Sequence, residues 1–227
     1  MTGRGAALRV LAGIVLVALL GGCSLAGSFD AVVAPGAPAP AGSAAQALDR
    51  LPVKGRAPKT GYARDRFGES WADVDRNGCD TRNDVLARDL TATTRQGCKV
   101  LTGSLHDPYT GATVAFRRGA RTSEEVQIDH VVALSNAWQT GAAQLADDER
   151  ERLANDPLGL LATQGSVNES KRDGDAATWL PPSTGARCGY VARQVAVKTR
   201  YRLWVTPPER DAIARILSRC PDQPLPR

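Results

Sequence analysis

The 227 residues and a 42% apolar fraction allow one compact domain with extras, and exclude a chain too polar to build a core. Aromatic residues are only 5%, so that core must be mainly aliphatic. The net charge of +5 includes Arg4 and Arg9 of the leading segment; the remainder is mildly basic, which permits a polyanionic partner without requiring one.

Residues 1–22 read as a targeting segment. Arg4 and Arg9 form a positive start, and residues 11–20 form an apolar stretch too short for a comfortable membrane span. Leu20-Gly21-Gly22-Cys23 resembles the lipobox of bacterial lipoproteins, which implies lipidation of Cys23 and a membrane anchor at the outer face of the cell membrane. The alternative is an ordinary signal peptide or an uncleaved anchor. Four further cysteines remain, Cys79, Cys98, Cys188 and Cys220. None forms a C-x-x-C pair, which argues against structural zinc. An even number in an exported chain predicts two disulfides with three possible pairings, nearest-neighbour pairing being the simplest.

Residues 23–58 are rich in Ala, Pro, Gly and Ser and show no apolar periodicity, so a disordered linker is expected there and a folded domain over 59–227. The aspartate-rich segment DVDRNGCDTRNDVLARDL, residues 73–90, resembles a calcium loop, but no glutamate closes it in the EF-hand manner. It reads as a turn and a helix over 81–90, with Val85, Leu86 and Leu90 inward and Arg82 a candidate phosphate contact. Strands are expected over 99–105 and 112–116, with His106 in the intervening turn as a solvated or capping residue. Helices are expected over 147–154 and 188–201, and the segment NDPLGLLAT between them gives a turn and another strand. Thr206-Pro207-Pro208-Glu209 is a capping box that starts a last helix. Mixed order of this kind is α+β.

The chain is organised around SEEVQIDHVVALSNAW, residues 123–138. Apolar residues flank Asp129-His130 on both sides and predict a strand over 126–134 that carries this pair into the core. Burying a carboxylate beside an imidazole is costly unless a metal or a reaction compensates. Only His106 and His130 are available for imidazole chemistry. Asn168 opens a short polar segment further on, with Lys171 three residues after it. Asn168 could equally cap a helix, and Lys171 could be solvated.

The set D-H, then N-x-x-K on a helix, resembles the HNH nucleases with their ββα-metal (His-Me finger) unit. The blocks IDHVVALSNAW, NDPLGLLAT, NESKRDGDAATWLPP and YVARQVAVK are similar to a bacterial HNH family whose domain is shared with the C-terminal part of GmrSD-type restriction enzymes. The likeness runs over residues 62–220. It implies a ββα-metal core with flanking helices and a monomeric, metal-dependent endonuclease that hydrolyses nucleic acid, DNA in preference to RNA. His130 would take a proton from water, Asp129 and Asn168 would hold a divalent cation, Mg²⁺ by the hardness of their oxygens, and Lys171, Arg172 and Arg82 would steady the substrate phosphate. Between residues 166 and 202 seven basic side chains face three acidic ones, which fits a nucleic-acid-facing surface or a helix with solvated arginines. Trp138 and Trp179 are candidates for base stacking or for the core. Gly159 departs from the family pattern, which has an asparagine there that braces the loop behind the D-H strand. The rival reading is a non-catalytic surface lipoprotein that binds anionic polymers.

Overall fold

The computed structural model describes residues 42–227. The targeting segment, Cys23 and the first part of the expected linker lie outside those residues. Among the described residues no helix is long and apolar enough to cross a membrane.

Folded structure begins earlier than composition suggests. Helix α1 (Ala44–Arg50) is capped by Ser43, whose hydroxyl accepts from the Gln46 amide. Ala44, Ala47, Leu48 and Leu51 recur at helical spacing and are buried. They pack on α6 (Arg187–Arg200) and α7 (Pro207–Leu217). The expected linker over 23–58 is therefore corrected from residue 43 onward. Small residues that look like linker composition here allow a close helix–helix approach.

Helix α2 (Thr81–Asp89) starts at the Asp80 cap, and strands β1 (Leu90–Gln96), β2 (Lys99–His106) and β3 (Thr113–Arg117) form an antiparallel sheet in chain order. β1 was not expected, because LTATTRQ is polar and its residues are mostly exposed. A second sheet pairs β4 (Val126–His130) with β5 (Leu160–Gln164), Ile128 opposite Ala162 and His130 opposite Leu160. Arg88 donates to the carbonyls of Pro157 and Leu160, and the Ala162 amide donates to Asp89, so α2 covers the free edge of β5. Asp107 ties the two sheets: its Oδ1 accepts from Thr163 Oγ1 at 2.5 Å and from the Gln164 amide at 3.0 Å.

Helices α3 (Leu134–Gln139) and α4 (Asp147–Asn155) fill the span between β4 and β5, and the 3-10 turn Pro157–Gly159 enters β5. Helix α5 (Gly165–Lys171) follows β5 directly and lies on β4. α6 is wrapped by its neighbours and buries Tyr190, Val191, Gln194, Val195 and Lys198. The capping box of α7 forms between Thr206 and Glu209. Disulfides join Cys79 to Cys98 and Cys188 to Cys220, the nearest-neighbour pairing. The fold is α+β.

Candidate active site

Strand β4 positions the pair. Its period of two puts Val126 and Ile128 on the face that packs with α2, and Gln127 and Asp129 on the face covered by α5. His130 is the last residue of the strand; the Val131 amide still donates to the Gly159 carbonyl in the same register, but its own carbonyl leaves the sheet to accept from Gln194. The strand expected over 126–134 thus stops at His130, and the apolar residues after it enter the core through α3.

His130 is half-buried. Its Nε2 lies 2.8 Å from the Ala154 carbonyl, which can only accept, so Nε2 carries the proton and Nδ1 keeps the lone pair. Burial pushes its pKa down from 6.5 to about 4, against the opposing effects of the Ala154 carbonyl and Asp129. The imidazole is therefore neutral at physiological pH, as a base must be. Trp71 stacks on it with centroids 6.1 Å apart. Trp71 has φ 64°, a strained conformation for so bulky a residue, and such strain concentrates at functional sites.

Asp129 faces the other way. Its Oδ2 accepts from the Tyr109 hydroxyl at 2.6 Å, and its Oδ1 accepts from Lys171 Nζ at 2.8 Å. Lys171 also donates to the His130 carbonyl at 2.7 Å. The ammonium has no exposed surface and Asp129 retains 4%. Lys171, expected to meet a phosphate, is instead the internal counter-ion of Asp129. The cause is geometric: three residues after Asn168, it falls on the buried side of α5.

Asn168 lies on the same helix nearer the groove. Its Nδ2 donates to Gln127 Oε1 at 2.8 Å, and no described residue donates to its Oδ1. A groove of about 320 Å³ is lined by His130 and Asn168 together with Arg64, Arg172, Glu169 and Asp173. Arg172 lines it from the end of α5, where the backbone takes a positive φ of 52°. Arg64, in the 3-10 turn Arg64–Phe67, was not singled out from the sequence; nothing in its local spacing distinguishes it from Arg66. Neither Arg64 nor Arg172 forms an ion pair among the described residues, so both cations are open to an anion. Arg82 is placed elsewhere. It donates to the Val126 carbonyl at the far end of β4, about 13 Å of strand from His130, which does not fit a phosphate contact at this groove.

The basic density after the site dissolves in the same way. Lys171 and Lys198 are buried, Lys198 against Glu209, while Arg200 pairs with Asp156 and Arg202 with Glu149. Trp138 is core, edge-on to Tyr62 and tilted against Phe67, and Trp179 packs on Tyr109 and Tyr190. His106 is exposed at the end of β2, away from this groove.

The residues fit a divalent cation at one of the two expected ligands. Among the described residues no group of three or more His, Cys, Asp or Glu side chains is arranged to hold a metal. Asp129 is closed off, with both oxygens engaged and an ammonium at 2.8 Å. The Asn168 amide oxygen is available, with Glu169 and Asp173 lining the same groove. One neutral oxygen with nearby carboxylates suits a hard cation that keeps most of its waters.

The family model for "GmrSD restriction endonucleases, C-terminal domain" matches residues 80–216, more than half of the chain. An "Uncharacterized secreted protein" of the fungus Arthroderma benhamiae is 38% identical over 185 residues, covering 80% of this chain and 87% of that protein. No solved structure matches the chain. β4, β5 and α5, with His130, Asn168 and Lys171, all fall inside the matched span, whereas Arg64 and Trp71 precede it. The chain belongs to the family of GmrSD restriction endonuclease C-terminal domains.

Proposed function

We propose that this chain is an HNH-type endonuclease that hydrolyses phosphodiester bonds of nucleic acid with the help of a divalent cation. The observation that carries this reading is the His130 tautomer. A neutral imidazole, locked by the Ala154 carbonyl, keeps its Nδ1 lone pair without a partner among the described residues, and His130 lines one groove with Asn168 and two unpaired arginines. The order β4, β5, α5 also supports a ββα-metal unit.

In this reading His130 Nδ1 receives the proton of the attacking water. Arg64 and Arg172 bind the substrate phosphate from two sides of the groove, Arg64 taking the part first given to Lys171. Asn168 Oδ1 would hold the cation, Mg²⁺ by the hardness of the donor, and Asp129 takes no share in it. Bound there, the cation would stabilise the charge that develops on the phosphoryl and leaving oxygens. The Asp129–Lys171 pair acts through position, since Lys171 grips the His130 carbonyl. DNA is the proposed substrate before RNA, and the enzyme is proposed to act as a monomer.

Export is part of the proposal. The leading segment, the two disulfides and the name of the fungal relative support it, and Cys23 is the proposed lipid anchor. The test is incubation of supercoiled plasmid, and separately of RNA, with the purified chain and Mg²⁺, with and without chelator, beside His130→Ala. Chelator-sensitive nicking lost in His130→Ala is expected. Retention of plasmid in a gel shift without any cleavage would overturn this reading in favour of an anionic-polymer-binding surface protein.

A further inference from the structure

Asn168 is useful to a cation only through its oxygen, so something must decide which way its amide faces. A carboxylate answers the question two bonds away. Glu169 Oε1 accepts from Gln127 Nε2 at 3.1 Å. An ionised carboxylate can only accept, so Gln127 must present its nitrogen to Glu169. Its oxygen is then turned to Asn168, 2.8 Å from Nδ2, and Asn168 must donate. The chain of donors leaves Asn168 Oδ1 as the end without a protein partner among the described residues. The direction of both amides therefore follows from the one group whose role is not ambiguous.

The seating of α5 protects this arrangement. Gly165 begins the helix where a Cβ would lie 2.0 Å from the Glu124 carbonyl oxygen and 3.1 Å from Gln127 Nε2. A backbone carbonyl cannot yield that much, so only glycine lets α5 approach β4 closely enough for Gln127 and Asn168 to meet.

We infer that Gln127 is a positioning residue which, directed by Glu169, turns the Asn168 carbonyl oxygen outward as a cation ligand. This rests on the reading of Asn168 given above. Such outer partners of a metal ligand typically govern about 10–100-fold in metal affinity. The sequence offers no motif for it: Gln127 lies three residues before His130 on a strand and reads as an ordinary polar outward position.

The experiment is a Mn²⁺ titration followed by electron paramagnetic resonance on the chelator-treated protein, with melting temperature recorded for each variant. Gln127→Met is expected to weaken Mn²⁺ binding about tenfold or more at an unchanged melting temperature. The exchanged pair Gln127→Glu with Glu169→Gln is expected to restore it. There the residue at 127 accepts from both neighbours, and Asn168 still donates. Wild-type binding in Gln127→Met, or a folded exchanged pair that stays as weak as Gln127→Met, would overturn the inference while leaving the nuclease reading intact. A wild-type protein that binds no Mn²⁺ would overturn the cation reading of Asn168 and this inference with it. Cleavage by His130→Ala at the wild-type rate would strike the nuclease reading alone.

Discussion

Lys171 Nζ stands 2.8 Å from Asp129 Oδ1, and both groups are shut away from solvent. A buried ion pair of this kind costs desolvation that its Coulomb attraction repays only when further hydrogen bonds complete it. Here the Tyr109 hydroxyl and the His130 carbonyl do so. Lys171→Met would leave buried Asp129 without its counter-ion and with only the Tyr109 hydroxyl as a partner, and a loss of about 3–5 kcal/mol in unfolding free energy is expected. Denaturant unfolding measures it. Lys171→Met combined with Asp129→Asn should recover part of the loss. A single Lys171→Met variant with an unchanged unfolding midpoint but no cleavage would mean that the lysine meets substrate after all.

His130 ties stability to pH. Its folded pKa of about 4 lies below the ordinary 6.5, because burial disfavours the charged ring. Between those values the unfolded chain binds a proton that the folded chain does not. The contribution is thus fully present above about pH 6.5, falls as pH drops toward 4, and levels off below. Its full size is on the order of 3 kcal/mol. Unfolding free energies of the wild type and His130→Gln, compared across this window, should show a shallower slope in the variant. Parallel slopes would contradict the burial argument. His130→Ala should also lower nicking by about 10²–10⁴-fold.

The resemblance to HNH nucleases leads one to expect an asparagine in place of Gly159, but the loop is braced by its neighbours. Asp156 Oδ1 accepts from the Leu158 amide at 2.9 Å, and the Gly159 carbonyl accepts from the Val131 amide at 2.9 Å. Asn155 Nδ2 donates to the carbonyls of Glu69 and Glu151, next to the Ala154 carbonyl that holds His130. Gly159→Asn is sterically tolerable, since a Cβ there would meet Val197 at an ordinary 3.5 Å. It is expected to turn over no faster than the Gly159→Ala control. Asn155→Leu, in contrast, should slow nicking on the order of 10²-fold at saturating Mg²⁺ by loosening the His130 anchor. A faster Gly159→Asn enzyme would show that this loop was underbraced.

Helix α1 belongs to the core. Leu48 is 2% exposed and packs with the α6 and α7 cluster. Leu48→Ala should cost about 2–5 kcal/mol. A chain beginning at residue 59 should melt well below one beginning at residue 42, as measured by circular dichroism. Equal melting temperatures would return α1 to the linker.

The sequence by itself determined what depends on neighbours along the chain. The capping box at Thr206 and Glu209, the helix behind Asp80, the β5–α5 succession and the D-H pair at a strand are local patterns, and the family blocks located the site between residues 126 and 171. Helix α1 was not legible: Ala44, Ala47, Leu48 and Leu51 fall at helical spacing, but a short alanine-rich stretch inside linker-like composition carries too weak an apolar signal until α6 and α7 bury it. The tertiary structure decided which faces those residues show. A residue type does not say whether a lysine three positions after an asparagine will point at solvent or at a buried carboxylate; that follows from the approach of α5 to β4, which Gly165 permits. The same holds for Arg64 and Trp71, far from the motif in sequence and beside His130 in space. Burial and partnership are long-range properties: they depend on which surfaces the packing of distant segments removes from water, and for that reason the roles of Lys171, Arg82 and Arg64 could be assigned only once the chain was folded.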